Sequence, residues 1–274
     1  VMGFDPKIIL KGYSDKVEII KNEKTTTIQT TNPFEELKKL LGKSDDQSYR
    51  YLGGAVGIVN YDAIRLVENI NDSHNSPQPL IEFGIYDDGI LYDKIHEKLF
   101  YFYHDENRFD KFVMGDDTFG EFYASEVTPN MDESKYSEIV NKAKKYIHDG
   151  DIFQVVLSRK FAFDTNGDNL TLYKTLRKLN PSPYMYHLKQ GNKTIIGASP
   201  EMLVRITDDK VETFPIAGTR KITDDEEKNK ALSEELIHDE KELAEHTMLV
   251  DLGRNDIGRV CKYGTVHPES LMEI

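Results

Sequence analysis

The strongest constraint on the fold is the order in which two hydrophobic periods occur. Short alternating runs crowd the first hundred residues: "IILKGY", "VEIIKN" and "TTTIQT" over 8–31, then "YLGGAVGIVNYDAIRLVE" over 51–68 and "LIEFGIYDDGILYDKIHEKLFYFYH" over 80–104. Helical spacing enters only once among them, in "PFEELKKLLG", where Phe34, Leu37, Leu40 and Leu41 share a face and Gly42 suits the end. Gly53, Gly54 and Gly57 inside a strand-like run signal a bulge or a close backbone approach. The run at 80–104 is expected to turn at Asp87-Asp88-Gly89.

The second half mixes the periods. "DESKYSEIVNKAKKYIHDGD" carries Tyr136, Ile139, Val140, Ala143, Tyr146 and Ile147 on one stripe and closes at Gly150, a helix. "IFQVVLSRKFAF" (152–163) predicts a strand, and "NLTLYKTLRKLN" a helix ended by Asn180-Pro181. Two hairpins are expected, around Gly191-Asn192 and around Asp208-Asp209. A last long helix is expected from Thr223, with Thr223 and Glu226 as a capping box, through about Leu252. Strands followed by helices, without a βαβα rhythm, predict an α+β fold of largely antiparallel sheets: a two-sheet sandwich with helices outside, incomplete at both ends. The polar, acidic stretch 105–133 marks a boundary, dividing 1–125, a β-rich region, from 126–274.

Bulk properties exclude several classes. With 274 residues the chain can build a substantial core. A net charge of −13 speaks against nucleic acid or an anionic membrane as partner. The single Cys261 excludes a disulfide framework and a cysteine zinc cluster. No apolar run reaches the ~18 residues of a membrane span, and no signal peptide is evident; a cytoplasmic location is expected. An anionic substrate would need a local positive site or a metal.

Four segments could carry chemistry. In "KELAEHTMLVDLGRND" (241–256), Glu242 and Glu245 share a helix face, and Glu245 aligns with Leu249 and Leu252. Two readings stay open: a pair of hard oxygen ligands suited to Mg²⁺, or solvated acids balanced by Lys241. His246 has no second histidine at metal-site spacing. Asp251 and Arg254 suit an ion pair, and Asn255-Asp256 a backbone cap. In "GASPEML", Glu201 follows Pro200 at a strand start, a place for a general acid or for an ordinary rim carboxylate. "NPSPYM" holds Ser182 between Pro181 and Pro183, a rigid turn or the edge of a small-ligand cleft. Gln154 sits in an apolar run, as a satisfied core amide or a neutral pocket wall. "ETFPIAGTRKI" ends a hydrophobic run in Gly218, Thr219 and Arg220, with the unreactive Ala217 before them. Phosphate-loop, dinucleotide and G-x-S-x-G signatures are absent.

Six stretches in order, "GGAVGIVNYDAIRLVE", "GDIFQVVLSRKF", "NPSPYMYHL", "IIGASPEMLVRI", "ETFPIAGTR" and "KELAEHTMLVDLGRNDIGRVCKYGTV", resemble the chorismate-utilising enzymes, and among them the anthranilate synthase component I group. The resemblance implies that Gly218 and Thr219 contact chorismate, that Glu245 holds Mg²⁺ with Glu242 in support, and that Glu201 protonates the departing hydroxyl. It implies that Pro181, Ser182 and Pro183 form part of a tryptophan feedback site, and that a glutamine amidotransferase subunit supplies ammonia. Aminodeoxychorismate relatives typically carry a nucleophilic lysine where Ala217 stands, and water-using relatives a lysine base where Gln154 stands. Both positions therefore imply ammonia as nucleophile and anthranilate as product. The family's "LLES"-type motif and its last third have no counterpart here. The chain is accordingly expected to be a fragment, inactive alone. Aminodeoxychorismate synthesis and a non-catalytic binding module are the competing expectations.

Overall fold

Strands pair only antiparallel in this computed structural model, which describes residues 1–42, 49–70, 77–112 and 119–274. The fold is α+β, and it divides into two units, Val1–Asp117 and Thr118–Ile274. Phe122–Ala124, placed with the N-terminal region by the expected boundary at 125, pairs instead with Thr165–Gly167 of the second unit.

In the first unit, β1 (Ile8–Gly12), β2 (Lys16–Lys21), β3 (Lys24–Gln29), β4 (Gly54–Val59) and β5 (Ile81–Tyr86) form one sheet in the order β3-β2-β1-β5-β4. Helix α1 (Pro33–Leu40) begins as its sequence dictates: the Asn32 side chain accepts from the Glu35 N–H, and Pro33 fills the first turn. Its Leu37 joins Leu10, Val17, Ala63 and Ile81 in a buried cluster. Each such side chain is worth about 1.5–3 kcal/mol when fully withdrawn from water. The glycines of β4 do mark a close approach. A Cβ at Gly57 would lie 2.1 Å from the Glu82 carbonyl oxygen and 2.7 Å from the Phe83 Cα, so only glycine lets β4 and β5 pair there.

β6 (Asp88–Asp93) and β7 (Lys98–Tyr103) form a separate hairpin. Its turn lies at 94–97, not at the expected Asp87-Asp88-Gly89. The Asp93 carboxylate decides this by accepting from the Ile95 and His96 N–H groups, an Asx turn that the Asp87-Gly89 stretch does not form. Its pairing with the His96 ring, followed by those N–H bonds, holds the Asp93 carboxyl down at about 2. Asp88 is drawn into the strand because it is needed inside. Its carboxylate, 1% exposed, takes both arms of the Arg108 guanidinium and the Tyr101 hydroxyl.

The second unit opens with β8 (Phe122–Ala124) and β9 (Thr128–Pro129), followed by α2 (Glu133–His148), capped by the Asp132 carboxylate on the Lys135 N–H. β10 (Phe161–Ala162) pairs with β9, and β11 (Thr165–Gly167) with β8. Helix α3 (Asn169–Leu179) packs on the hairpin β12 (Tyr184–Gln190) and β13 (Lys193–Ser199). β14 (Arg205–Thr207) and β15 (Lys210–Glu212) make the second expected hairpin. Helices α4 (Glu226–His238) and α5 (Glu240–Gly258) follow.

Two expectations fail here. The strand expected over 152–163 is realised only at Phe161–Ala162, and Phe153 and Val156 stand 90% and 87% exposed. Residues 152–160 have no neighbouring strand in the described part to complete a ladder. The single helix expected from Thr223 is two helices. Asp239, at φ −71° and ψ 108°, leaves helical backbone and accepts from the Lys241 and Glu242 N–H groups, restarting the chain as α5. Asp225, not Thr223, caps α4; Thr223 is instead hydrogen-bonded to Asn229.

Candidate active site

The elements that matter are the irregular segment 213–220 that follows β15, the α4–α5 corner, and the segments carrying Glu201 and Gln154. Because Asp239 restarts the helix, Glu242 falls in the first turn of α5, and Glu245 one turn on along the same face. Gly218 has φ +74°, which glycine alone adopts without strain. A Cβ there would meet Leu236 of α4 at 2.8 Å and the Glu242 Oε2 at 3.2 Å. The residue is glycine because the backbone turns left-handed against the corner with a carboxylate beside it.

Arg220 fastens this contact. Its Nη2 lies 2.8 Å from Asp239 Oδ2 and 3.0 Å from Glu235 Oε1, and its Nη1 lies 3.9 Å from Glu242 Oε1 and donates to the Thr219 carbonyl. The Asp239 carboxyl is held below the usual range, first by the Glu242 N–H and then by Arg220.

Gln154 reaches the same face from the other side, its Nε2 3.5 Å from the Glu245 Oε1. It is an exposed amide outside any strand, so the expected buried strand position is corrected by the unpaired backbone around it. Glu201 is exposed too, and its Oε1 accepts from the Ile216 N–H at 3.3 Å, two residues before Gly218. Two separate contacts are thus seen, Gln154 with Glu245 and Glu201 with the Ile216 N–H, while Gly218 lies beside Glu242, which shares a helix face with Glu245. Thr219 accepts from Arg220 through its carbonyl. Pro181, Ser182 and Pro183 stand between α3 and β12, and no hydrogen bond or ion pair joins them to the others.

Pro215, Ile216, Ala217, Leu236, Glu242 and His246, among others, line a cavity of about 120 Å³. Small-molecule sites usually enclose ~300 Å³ or more, so this is part of a pocket rather than a whole one. A larger cavity, about 270 Å³, lies at Asn60–Asp62 and Gln78–Leu80 in the first unit and touches none of the candidate residues. The sequence pattern assigns Arg220 no task beyond its charge, and His246 has no second histidine at metal-site spacing. The register of His246 with Glu242, four residues apart on α5, was the available signal for its place in the cavity wall. Asp251 and Arg254 do pair, at 2.6 Å, and Asn255 donates to the Asp251 carbonyl.

Among the described residues, no three His, Cys, Asp or Glu side chains converge to hold a metal ion. Glu242 and Glu245 alone offer two carboxylates on one face. That set suits Mg²⁺, which keeps waters and takes one or two protein carboxylates with oxygens of a substrate. No helix among the described residues is long and apolar enough to cross a membrane.

The site gathers a left-handed glycine, two carboxylates on one helix face and a third that accepts from the Ile216 N–H. The profile of the chorismate binding enzyme family matches residues 3–274, and the chain belongs to that family. It is 41% identical over 279 residues to anthranilate synthase component 1 of Methanothermobacter marburgensis, covering 100% of this chain and 59% of the relative. It is 35% identical to aminodeoxychorismate synthase component 1 of Bacillus subtilis, over 100% of the chain and 63% of that protein. The crystal structure of anthranilate synthase component I from Streptococcus pneumoniae superposes with a TM-score of 0.74 at 30% identity, covering 94% of this chain and 61% of that one. The chain therefore spans about three fifths of the length of these relatives.

Proposed function

We propose that the protein to which this chain belongs converts chorismate and ammonia to anthranilate, pyruvate and water, the entry step of tryptophan synthesis. The observation that carries the choice of product is Ala217. Its methyl group stands in the cavity wall next to Gly218, where a covalent route needs an amine. Gln154, bonded to Glu245, is an amide that cannot deprotonate water, which leaves an external amine as the nucleophile.

In this reading the Gly218 backbone, free of a Cβ, approaches a substrate carboxylate, and Thr219 adds a donor. Glu201 gives its proton to the hydroxyl leaving the ring, and the Ile216 N–H keeps the carboxylate aimed. Glu245, with Glu242, holds Mg²⁺, which when bound offsets the substrate's carboxylate charge. Ammonia comes from a glutamine amidotransferase partner. Tryptophan binds at Pro181, Ser182 and Pro183 as feedback inhibitor. The first unit serves regulation and partner contact and the second begins the chorismate-binding part, in the cytoplasm.

The chain alone is inactive, because its cavity is too small to enclose a substrate and Glu201 and Gln154 are exposed. Chorismate, ammonium and Mg²⁺ given to this chain are expected to yield no anthranilate fluorescence. A protein of the relatives' full length carrying this chain is expected to yield anthranilate and pyruvate by mass analysis. The Bacillus subtilis relative favours a second reading, aminodeoxychorismate synthesis. A product retaining its pyruvyl ether would establish that reading and overturn the first.

A further inference from the structure

We propose that Arg220 is a positioning residue, an internal cation that seats the Glu242 carboxylate against Gly218 and contends with a divalent ion for it. The inference rests on the metal reading of Glu242 and Glu245 given above, and adds a residue to which that reading assigns nothing.

The geometry is that of one guanidinium among three carboxylates. Glu235 lies 3.0 Å away, Asp239 2.8 Å, and Glu242 3.9 Å. The first belongs to α4, the second caps α5, and the third lies in the first turn of α5. Through Nη1 the same side chain donates to the Thr219 carbonyl of its own segment at 3.1 Å. Arg220 thus ties the Gly218-Thr219 backbone to both helices, and Glu242 is packed where a Cβ of residue 218 would touch it. The other cation near Glu242 is Lys241 at 3.7 Å, whose side chain is 81% exposed against 22% for Arg220. Water screens the lysine and leaves the arginine as the dominant counter-charge. Three acids against one guanidinium leave an uncompensated charge of about two at the corner. An arriving divalent ion finds this negative field, but must displace Arg220 from the Glu242 oxygen or share it.

The sign of the effect separates this from a purely structural role. Removing a structural clamp weakens ligand binding, whereas removing a competing cation strengthens divalent binding. The experiment is titration of the chain with Mn²⁺, followed by water-proton relaxation, in the unsubstituted chain and in Arg220→Gln, Arg220→Lys, Glu242→Gln, Glu245→Gln and the Arg220→Gln/Glu242→Gln pair. Circular dichroism checks that each is folded. Arg220→Gln is expected to bind Mn²⁺ about fivefold more tightly, since one unit charge about 4 Å from a partly exposed carboxylate is lost. Arg220→Lys keeps the charge and stays within about twofold. In the Glu242→Gln background the gain disappears, because the coupling runs through that carboxylate. Native-state amide exchange at Gly218 and Thr219 is expected to rise about tenfold in Arg220→Gln and to return towards the original value in Arg220→Lys.

Unchanged or weaker Mn²⁺ binding in a folded Arg220→Gln, or a gain that persists without Glu242, overturns the proposal while the metal reading stands. If Arg220→Gln does not fold, Arg220→Lys carries the test: exchange at Gly218 and Thr219 equal to that of the unfolded chain, or Mn²⁺ affinity falling by more than about twofold, overturns it as well. Failure of the unsubstituted chain to bind Mn²⁺, or binding indifferent to both Glu242→Gln and Glu245→Gln, overturns the metal reading and this inference together.

Discussion

The two units differ in what holds them. In Val1–Asp117 five strands share one sheet, and Leu10, Val17 and Ile81 have no exposed surface at all. In Thr118–Ile274 every strand has one partner only, and no described residue is buried. Leu203 and Ile222 stand 87% and 85% exposed there, beside Phe153 and Val156. The first unit is organised by burial. The second is organised by capping carboxylates, hairpins and ion pairs, each worth little in water. All the candidate active-site residues lie in the second. A site of this kind works by excluding water around its charges, and a region without buried side chains has not excluded it.

The widest gap between the units should show at Arg108. Its guanidinium is the partner of Asp88, which is all but inaccessible; burial pushes the Asp88 carboxyl up, and the hydrogen bonds from Arg108 and Tyr101 outweigh it and hold the group below its usual range. Arg108→Ala leaves that charge unpaired inside, at a cost of about 3–5 kcal/mol. Amide exchange in β6 and β7 is expected to lose protection accordingly. Arg254→Ala, which removes the pair with Asp251 on the exposed face of α5, is expected to change exchange there by less than about 1 kcal/mol. Equal losses at the two arginines would erase the distinction between the units.

A smaller step tests burial alone. Ile81→Val removes one methylene from the fully buried cluster and is expected to cost about 0.5–1.5 kcal/mol in the protection of β1 and β5. Val156→Ala, at an 87% exposed position, is expected to stay within about 0.5 kcal/mol. A cost at Val156 matching that at Ile81 would mean that residues 152–160 are covered in solution.

The same contrast explains what could be read from the chain beforehand. Where a strand's partners lie close in sequence, as in β1–β3 and β12–β13, alternation and turn residues located it within a residue or two; at β14–β15 they located the turn, while the strands stop at Arg205 and Glu212, short of the hydrophobic runs that contain them. Residues 152–160 are rich in β-branched and aromatic side chains, yet form no strand, because a ladder needs a neighbour and composition carries no information about whether one is present. The split of the last helix turns on Asp239, a residue type that caps helices yet is also tolerated inside them, so its presence alone does not mark a break. At the site, the spacing of Glu242 and Glu245 gave their shared face. The approach of Gln154 to Glu245 and of Gly218 to Glu242 joins residues far apart in sequence, and only the family resemblance pointed to it. Arg220 was overlooked because an ion pair to three acids on two helices leaves no periodic trace.

The smallest expected effect concerns acid. The Glu212 carboxyl is held down at about 2, first by Arg205 and then by Lys210, against an ordinary value of 4.5. A depressed folded-state value means that the stabilisation is fully present above about 4.5 and is lost as the pH falls through about 2. The group is half-buried on a two-stranded hairpin that pairs with no other strand, so its effect is local. The β14–β15 hairpin, in which Arg205 pairs directly opposite Glu212, is expected to loosen between those values, read as faster exchange at Ile206 and Val211. The β1–β5 ladder keeps its protection through the same window, because the cluster beneath it is held by apolar burial that no proton alters. Glu212→Gln should remove the step from the hairpin and leave the sheet unmoved. Simultaneous loss in both would show that one cooperative transition, not two kinds of cohesion, governs the chain.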